Sequence, residues 1–144
     1  MRRALVLMLT LTITACTANM QPLAPQSRPA VMADEAGFWQ VADRAEQGLQ
    51  SAPHRIRDPD LTAYVQSVAC KVAAFYCRDI RVYLVRQPGA NAAMLPNGVL
   101  TLQSGLLLRL ADEAQLAAVI GHELGHYVER HGFAQAERAR QLGD

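Results

Sequence analysis

Two segments in the first half of the chain carry apolar residues at intervals of three and four. One runs from Asp34 to about Leu49, and the other runs from Asp58 to Phe75. Asp58 is followed by Pro59, and this order is typical of the cap and the first turn of a helix. The pattern therefore predicts two amphipathic helices.

Apolar and polar residues alternate in the middle of the chain, which is the period of a strand. Ile80 to Val85 predicts a strand that is covered mainly on one face, and Val99 to Gln103 predicts a second strand. Between them, Leu95-Pro96-Asn97-Gly98 has the residues of a tight turn. We expect a hairpin or a near-hairpin at this turn.

A third amphipathic helix follows the strands. Asp112, with Gln115 three residues later, resembles a capping box. Helical spacing then continues to about His131, where Gly132 interrupts it. Elements in this order predict a mainly helical α+β fold with a small sheet or hairpin packed beside the last long helix.

The first residues have the layout of a bacterial export signal. A pair of arginines precedes the apolar stretch Ala4 to Ala15, which is too short to span a bilayer stably. The stretch ends in Ile13-Thr14-Ala15-Cys16, which resembles a lipobox, so residues 1–15 are predicted to be a lipoprotein signal peptide and Cys16 the lipidated N-terminus. An ordinary signal peptide with an incidental cysteine, or a weak membrane anchor, is the alternative.

The segment after Cys16 and the overall charge restrict the class of protein further. Residues 16–33 hold three prolines and no apolar periodicity, which predicts a flexible tether before a single domain. The formal net charge is +1, and loss of the two arginines of the signal leaves 14 − 2 = 12 basic side chains against 13 acidic ones. This balance does not indicate nucleic acid as a partner.

Three cysteines are present, and assigning Cys16 to lipid leaves Cys70 and Cys77 as a candidate disulfide pair in an oxidising compartment. In one continuous helix their Cα atoms would lie about 10 Å apart, whereas a disulfide needs less than about 7 Å. A bridge therefore requires the helix to end between them. Two buried free thiols are the alternative, and the sequence leaves both open.

The third helix contains the run His122-Glu123-Leu124-Gly125-His126. Histidines four residues apart lie on one face of a helix, so both rings can bind one Zn²⁺ ion. Glu123 lies too far around the helix to complete that ligand set easily, but its carboxylate can act as a general base on water. The run predicts His122 and His126 as metal ligands and Glu123 as the catalytic base of peptide hydrolysis. Two surface histidines on an amphipathic helix are the alternative.

Residues around the motif refine this hypothesis. Gly125 in mid-helix favours the close approach of another backbone, unless it is merely tolerated. A metzincin needs glycine at position 129 and histidine at position 132, where this chain has Glu129 and Gly132, so that subclass is excluded. We expect His131 to cap or decorate the helix end and His54 to lie in a loop, and we assign neither to metal.

A family resemblance rests on four runs of residues. They are Asn91-Ala92-Ala93-Met94-Leu95-Pro96-Asn97-Gly98, Ser104-Gly105-Leu106-Leu107, Asp112-Glu113-Ala114-Gln115-Leu116-Ala117-Ala118-Val119, and the zinc motif with Arg130-His131. Together they resemble peptidase family M48, the gluzincin group that includes HtpX-like and CAAX-prenyl-protease-like enzymes. The resemblance covers about Asp60 to His131. It implies a zincin-like fold and an endopeptidase that binds one Zn²⁺ ion and acts on proteins or peptides.

The resemblance also implies a substrate strand and a third metal ligand. Val99, Leu100, Thr101, Leu102 and Gln103 follow the turn that borders the family's cleft, so they are expected to pair with an extended substrate, with an ordinary sheet strand as the alternative.

The family's third ligand is a glutamate on a later helix, whereas this chain ends 18 residues after His126. We do not expect Glu129 or Glu137 to take its place. Either residues 34–144 are the N-terminal part of a longer metallopeptidase domain, which the polar end favours, or a short chain keeps an incomplete site.

These observations predict a lipid-anchored zinc metalloendopeptidase on the periplasmic face of the cell envelope, acting on envelope or misfolded proteins. Thr17 after the cysteine resembles sorting to the outer membrane. A non-catalytic binding or assembly module with an incomplete zinc site is the second hypothesis. A structural lipoprotein with an accidental motif is the third.

Overall fold

The structure is a computed structural model of the chain, and it describes residues 21–28 and 33–143. The predicted signal peptide, Cys16 and the rest of the predicted tether lie outside these ranges. The described helices are α1 (Ala33–Ser51), α2 (Pro59–Val72), α3 (Ser104–Leu107), α4 (Glu113–Val128) and α5 (His131–Gly143), and the strands are β1 (Arg55–Ile56), β2 (Arg81–Val85), β3 (Ala92–Met94) and β4 (Val99–Gln103).

The second helix, α2, begins where the sequence predicts and ends earlier. The Asp58 carboxylate caps it by accepting a hydrogen bond from the Leu61 N–H at 3.0 Å. The helix ends at Val72 and a short 3₁₀ turn follows. In the structure a disulfide joins Cys70 to Cys77, whose Cα atoms lie 4.6 Å apart. The helix therefore ends between the two cysteines, which is the condition under which a disulfide can form.

The four strands form one mixed sheet in the order β1-β2-β4-β3. β2 and β4 are parallel, and β3 runs antiparallel to β4. The predicted turn therefore makes a hairpin of β3 and β4, not of the two strands that alternation predicted. Val82 to Val85 are all buried, so β2 is covered on both faces rather than mainly on one. A strand with neighbours on both sides in a sheet packed by helices is buried in this way.

The core lies between the sheet and the helices α2 and α4, with its largest fully buried side chains on all of these elements. They are Leu84, Leu100, Leu102, Ile120, Val65, Val68 and Val99. Burial of this apolar surface is the main source of the fold's stability. Within the described residues, no helix is both long enough and apolar enough to cross a membrane.

The buried face of α1 differs from the face that its apolar residues predict. Val41 keeps 54% of its surface exposed, whereas Glu35 and Glu46 are 8% and 9% exposed. A carboxylate is buried only where it is paired and hydrogen-bonded. Glu46 pairs with Arg81, and Glu35 pairs with Arg130. Apolar periodicity carries no information about such distant partners.

Part of the predicted tether, residues 21–28, contacts the domain through Leu23, whereas most of its residues are exposed, and the flexibility of residues 16–33 stays a prediction. Leu23 is 6% exposed. Its N–H donates to the Val128 carbonyl at 2.8 Å, and its carbonyl accepts from the Tyr76 hydroxyl at 2.8 Å. The Val128 carbonyl belongs to the end of α4, where a helix leaves acceptors without partners. Composition alone could not reveal these two partners.

Candidate metal centre

Helix α4 positions the motif by burying one face and exposing another. Asp112 is its N-cap and accepts a hydrogen bond from the Gln115 N–H at 2.8 Å. The Gln115 side chain in turn accepts from the Ala111 N–H at 2.9 Å, so the return bond of the predicted capping box lies one residue before the cap. The buried residues of the helix are Leu116, Ile120 and Tyr127. The two histidines of the motif lie on its exposed side.

These histidines face each other through their Nε2 atoms, and an imidazole nitrogen is a common zinc ligand. His122 Nε2 lies 3.1 Å from His126 Nε2, and the ring centroids are 4.7 Å apart. Two nitrogens bound to one tetrahedral zinc ion at about 2.0 to 2.1 Å would lie about 3.3 Å apart. The spacing and the donor chemistry therefore fit two of the ligands of a zinc ion.

A third ligand does not join the pair. Across residues 21–28 and 33–143, no group of three His, Cys, Asp or Glu side chains is arranged to hold a metal ion. Glu129 is the exposed residue that caps the end of α4. Glu137 lies on α5 in an ion pair with Arg140. Neither glutamate is brought to the histidines.

Glu123 opens onto a cleft of about 480 Å³, whose walls come from α1, β3, α4 and α5. His126 and His131 share this cleft with Glu123. Its apolar lining consists of Leu23, Phe38, Trp39, Met94, Pro96, Tyr127, Phe133 and Ala134. A cleft of this size with a few polar groups on an apolar wall is typical of a binding site.

The end of α4 was predicted at about His131, before Gly132, but the helix ends at Val128. Arg130 has a backbone φ of 55° and turns the chain, and α5 begins at the next residue. His131 thereby comes back to the motif, with its Nδ1 atom 2.9 Å from His126 Nδ1. Spacing along one helix could not predict this contact, because it depends on the turn.

Arg130 is held in this turn by contacts that reach across the fold. A left-handed backbone costs a non-glycine residue on the order of 1 kcal/mol or more and persists only where the surroundings fix it. The Arg130 guanidinium pairs with the Glu35 carboxylate, and the two side chains are 18% and 10% exposed. The guanidinium also lies 5.7 Å from the centroid of the Phe133 ring. The turn is therefore fixed by α1 and by α5 itself.

The predicted substrate strand does not lie at an edge. Val99 to Gln103 form β4, which pairs with β2 on one side and β3 on the other. Its backbone groups are used in the sheet, so an added strand has no place there. Residues 99–103 are thus an interior strand, and β3, which borders α4, is the edge strand beside the motif. The pattern of β3 was too short to be predicted as a strand.

The turn between β3 and β4 is joined to α1 by hydrogen bonds between polar side chains. The Asn97 amide donates to the Asp43 and Glu46 carboxylates, both at 3.0 Å. Glu46 also accepts two hydrogen bonds from Arg81. The Arg81 hydrogen bonds, with smaller contributions from other donors, hold the pKa of the Glu46 carboxyl below its ordinary value although burial opposes this. No local sequence pattern indicated this network, because its members lie on different elements.

The position of Gly125 in mid-helix predicted that another backbone packs closely against it, and the structure does not show such a contact. Apart from its chain neighbours and the backbone of its own helix, a Cβ atom added there would meet no described atom within 4 Å. The expectation that another backbone packs closely at this point is therefore wrong, and the glycine lies on the open side of the helix. A close approach is found instead at Gly98, where an added Cβ would lie 2.1 Å from the Asp79 carbonyl oxygen.

Comparison with known proteins identifies one family, and its match covers more than half of the chain. The sequence profile of peptidase family M48 matches residues 55–142. A putative beta-barrel assembly-enhancing protease of Vibrio cholerae is 31% identical over 91 residues, which are 60% of this chain and 19% of that relative.

Two further relatives match shorter or less similar stretches. The beta-barrel assembly-enhancing protease of Escherichia coli K12 is 28% identical over 96 residues, 64% of this chain and 20% of that protein. The mitochondrial metalloendopeptidase OMA1 of Arabidopsis thaliana is 46% identical over 50 residues, 35% of this chain and 10% of that protein. The chain therefore spans about a fifth or less of the length of these relatives.

Proposed function

Because the chain belongs to peptidase family M48, we propose that it carries the catalytic helix of a zinc-dependent endopeptidase. His122 and His126 are the proposed metal ligands, and Glu123 is the proposed general base. The observation that supports this most directly is the approach of the two Nε2 atoms to 3.1 Å, next to a carboxylate that opens onto the cleft. The two imidazoles could supply two ligands of a catalytic zinc ion and the carboxylate a general base for peptide hydrolysis.

Zinc, when bound, would polarise the carbonyl of the scissile peptide and make water a stronger nucleophile. The Glu123 carboxylate would accept the proton that water loses as its oxygen bonds to the carbonyl carbon. The same carboxyl would then give that proton to the amide nitrogen as the carbon–nitrogen bond breaks. His122 and His126 would hold the metal through Nε2 and would take no part in these proton transfers.

We propose that the substrate backbone lies along β3. Asn91 and Leu95 hold hydrogen-bonded positions opposite β4. In an antiparallel ladder such positions alternate, so the N–H and carbonyl groups of Ala92 and Met94 point away from β4. An extended peptide added at this edge would run past α4 and the motif. The apolar lining of the cleft, which includes Met94, would accept an apolar side chain of that peptide.

We propose, from the sequence pattern, that the chain is an envelope lipoprotein with residues 1–15 as the signal peptide and Cys16 as the site of lipid attachment. This would place it at the periplasmic face of the outer membrane, with envelope or misfolded proteins as substrates. Similarity to proteins named beta-barrel assembly-enhancing proteases supports the envelope location, whereas the lipid anchor rests on the sequence pattern. An apolar cleft beside a strand edge that is unpaired among the described residues suits an unfolded segment, because such segments expose apolar side chains and unpaired backbone.

The proposal is tested by measuring zinc content and the hydrolysis of a labelled, unfolded protein by the purified full chain. Glu123→Gln removes the base and keeps the size of the side chain, so kcat/KM should fall by about 10² to 10⁴ or more while zinc content is retained. His126→Ala should lose both zinc and activity. Glu113→Gln, which changes an exposed carboxylate at the start of the same helix, is the matched control and should alter neither.

The same measurement separates a second candidate function, a non-catalytic binding or assembly module with an incomplete zinc site. The observation that favours it is that the part of the chain described by the structure offers no group of three metal ligands. This function predicts weak or absent zinc, and binding of an unfolded protein that survives both Glu123→Gln and chelators. One tightly bound zinc ion that is lost in His126→Ala would contradict it.

A further inference from the structure

We propose that His131 is a positioning residue for His126, an inference that rests on the metal site proposed above. The Nδ1 atoms of the two rings lie 2.9 Å apart, and the ring centroids are 5.1 Å apart. The other nitrogen of the His126 ring, Nε2, is the one that faces His122. His126 is therefore the central ring of three, with a partner at each nitrogen.

Only one arrangement of protons on His126 suits metal binding through Nε2. That nitrogen must present a free lone pair, so the proton of the neutral ring lies on Nδ1 and is donated to Nδ1 of His131. His131 then carries its own proton on Nε2. A hydrogen bond to the second nitrogen of a histidine ligand fixes the tautomer and the ring orientation. Loss of such a partner typically weakens metal binding by about 10- to 100-fold.

This geometry also shows why His131 is not the third ligand. The two nitrogens of an imidazole point in divergent directions, so a group bonded at Nδ1 of His126 lies on the far side of the ring from an ion at Nε2. While the Nδ1 contact is made, His131 supports the ligand and does not share its ion.

The fold holds His131 at this point through the turn at Arg130. The guanidinium of Arg130 pairs with Glu35 and lies over the ring of Phe133, and the Ala134 N–H donates to the Arg130 carbonyl at 3.1 Å. These contacts orient the first turn of α5, whose first residue is His131. The ring is thus presented to His126 by a fixed backbone, although it lies on the exposed surface.

The test compares the Zn²⁺ affinity of the full chain with that of three variants at one pH. His131→Ala removes the acceptor, whereas His131→Asn keeps a side-chain oxygen at a similar reach. His54→Ala is the matched control, because His54 is an exposed histidine in the loop before β1. A second readout is the tautomer of His126 in the metal-free protein, measured by nitrogen NMR.

We expect His131→Ala to weaken Zn²⁺ binding by about 10- to 100-fold and to reduce the Nδ1–H tautomer of His126. His131→Asn should restore most of the affinity, and His54→Ala should leave it unchanged. Equal affinity in the wild type and His131→Ala would overturn the positioning role and leave the zinc site standing.

Two other results would also count against the proposal. A loss of affinity that His131→Asn does not restore, with the His126 tautomer unchanged, would assign the effect to packing and overturn the hydrogen-bonding role. Absence of Zn²⁺ binding by the wild type would overturn the proposed metal site, and the positioning role would fall with it.

Discussion

The Glu46 carboxylate joins α1 to the sheet, and its replacement by glutamine should destabilise the fold. It accepts hydrogen bonds from Arg81 Nε and Nη2 at 2.7 Å, from the Tyr83 hydroxyl at 3.0 Å and from the Asn97 amide at 3.0 Å. Glutamine has nearly the same shape but only one acceptor oxygen. Whichever way its amide is turned, the NH₂ group faces a donor of Arg81.

The size of the effect follows from the exposure of the two partners. The Glu46 side chain is 12% exposed and the Arg81 side chain is 42% exposed. Breaking a fully buried pair costs about 3 to 5 kcal/mol, whereas an exposed pair contributes about 1 kcal/mol or less. Because Arg81 remains partly solvated, we expect Glu46→Gln to lower the free energy of unfolding by about 2 kcal/mol. For a domain of this size that lowers Tm by about 8 °C.

The pKa of Glu46 adds a dependence on pH whose sign is fixed. Hydrogen bonding by Arg81 holds the folded-state pKa below its ordinary value of 4.5, so protonation favours the unfolded chain. The stabilisation is fully present above about pH 4.5 and is lost as the pH falls through the folded-state pKa. Glutamine does not titrate. The difference between the wild type and the variant should therefore be constant from pH 7 to about 5 and become smaller below about 4.5.

The assay is urea unfolding followed by circular dichroism at pH 7 and at lower pH. Glu113→Gln is the control, because Glu113 also has a lowered pKa, caused first by its hydrogen bond to Lys71, but this pair is exposed and screened by solvent. It should leave the midpoint unchanged. An unchanged midpoint in Glu46→Gln at pH 7, or a difference between wild type and variant that stays the same down to pH 3, would refute the reasoning.

Two further predictions concern the turn before β4 and the buried tyrosine of α4. Gly98→Ala should cost about 2 kcal/mol or more, because Gly98 has a φ of 88° and an added Cβ would lie 2.1 Å from the Asp79 carbonyl oxygen. Gly48→Ala, at an open position of α1, is its control in thermal unfolding, and equal Tm values for the two variants would contradict this. Burial, with the charge of Asp79, raises the pKa of Tyr127 to about 12, so its contribution to stability is present below about pH 10 and is lost as the pH rises towards 12. An ultraviolet titration should show a tyrosine that ionises near pH 12 and is absent in Tyr127→Phe, and loss from the variant of a group that ionises near pH 10 instead would disprove the assignment.

The parts of the fold that the sequence predicted are those that short-range chemistry determines. The Asp58 and Asp112 caps each accept the N–H of the residue three positions later, and β4 has the predicted bounds Val99–Gln103. The zinc motif belongs to the same class, because its spacing on one helix is itself the geometry of the site. The four-residue spacing within α4 alone brings the two rings to the same face of the helix.

Partners that lie far apart in the chain could not be predicted in this way. Alternation indicated that residues 99–103 form a strand, but it contains no information about which strands flank it, so it could not decide between a substrate strand and the ordinary interior strand that is found. Likewise, the apolar pattern of α1 could not indicate that two carboxylates are buried, since the arginines that pair with them lie 35 and 95 residues away. These features could not be predicted because side-chain pairing depends on tertiary contacts, whereas the spacing of apolar residues along the chain reports only on local structure.

The residues before the family match have a physical role in the cleft. The match begins at residue 55, yet Glu46 of α1 holds the Asn97 turn that carries β3, and Glu35 holds the Arg130 turn that presents His131. Glu46 thus acts on the wall of the cleft formed by β3, and Glu35 acts on the wall formed by α5. Both glutamates belong to α1. A substitution in α1 that breaks either pair should therefore change the site while every residue of the zinc motif is intact. The two positions are separable, because loss of Glu46 would act on the proposed substrate edge and loss of Glu35 would act on the proposed support of His126.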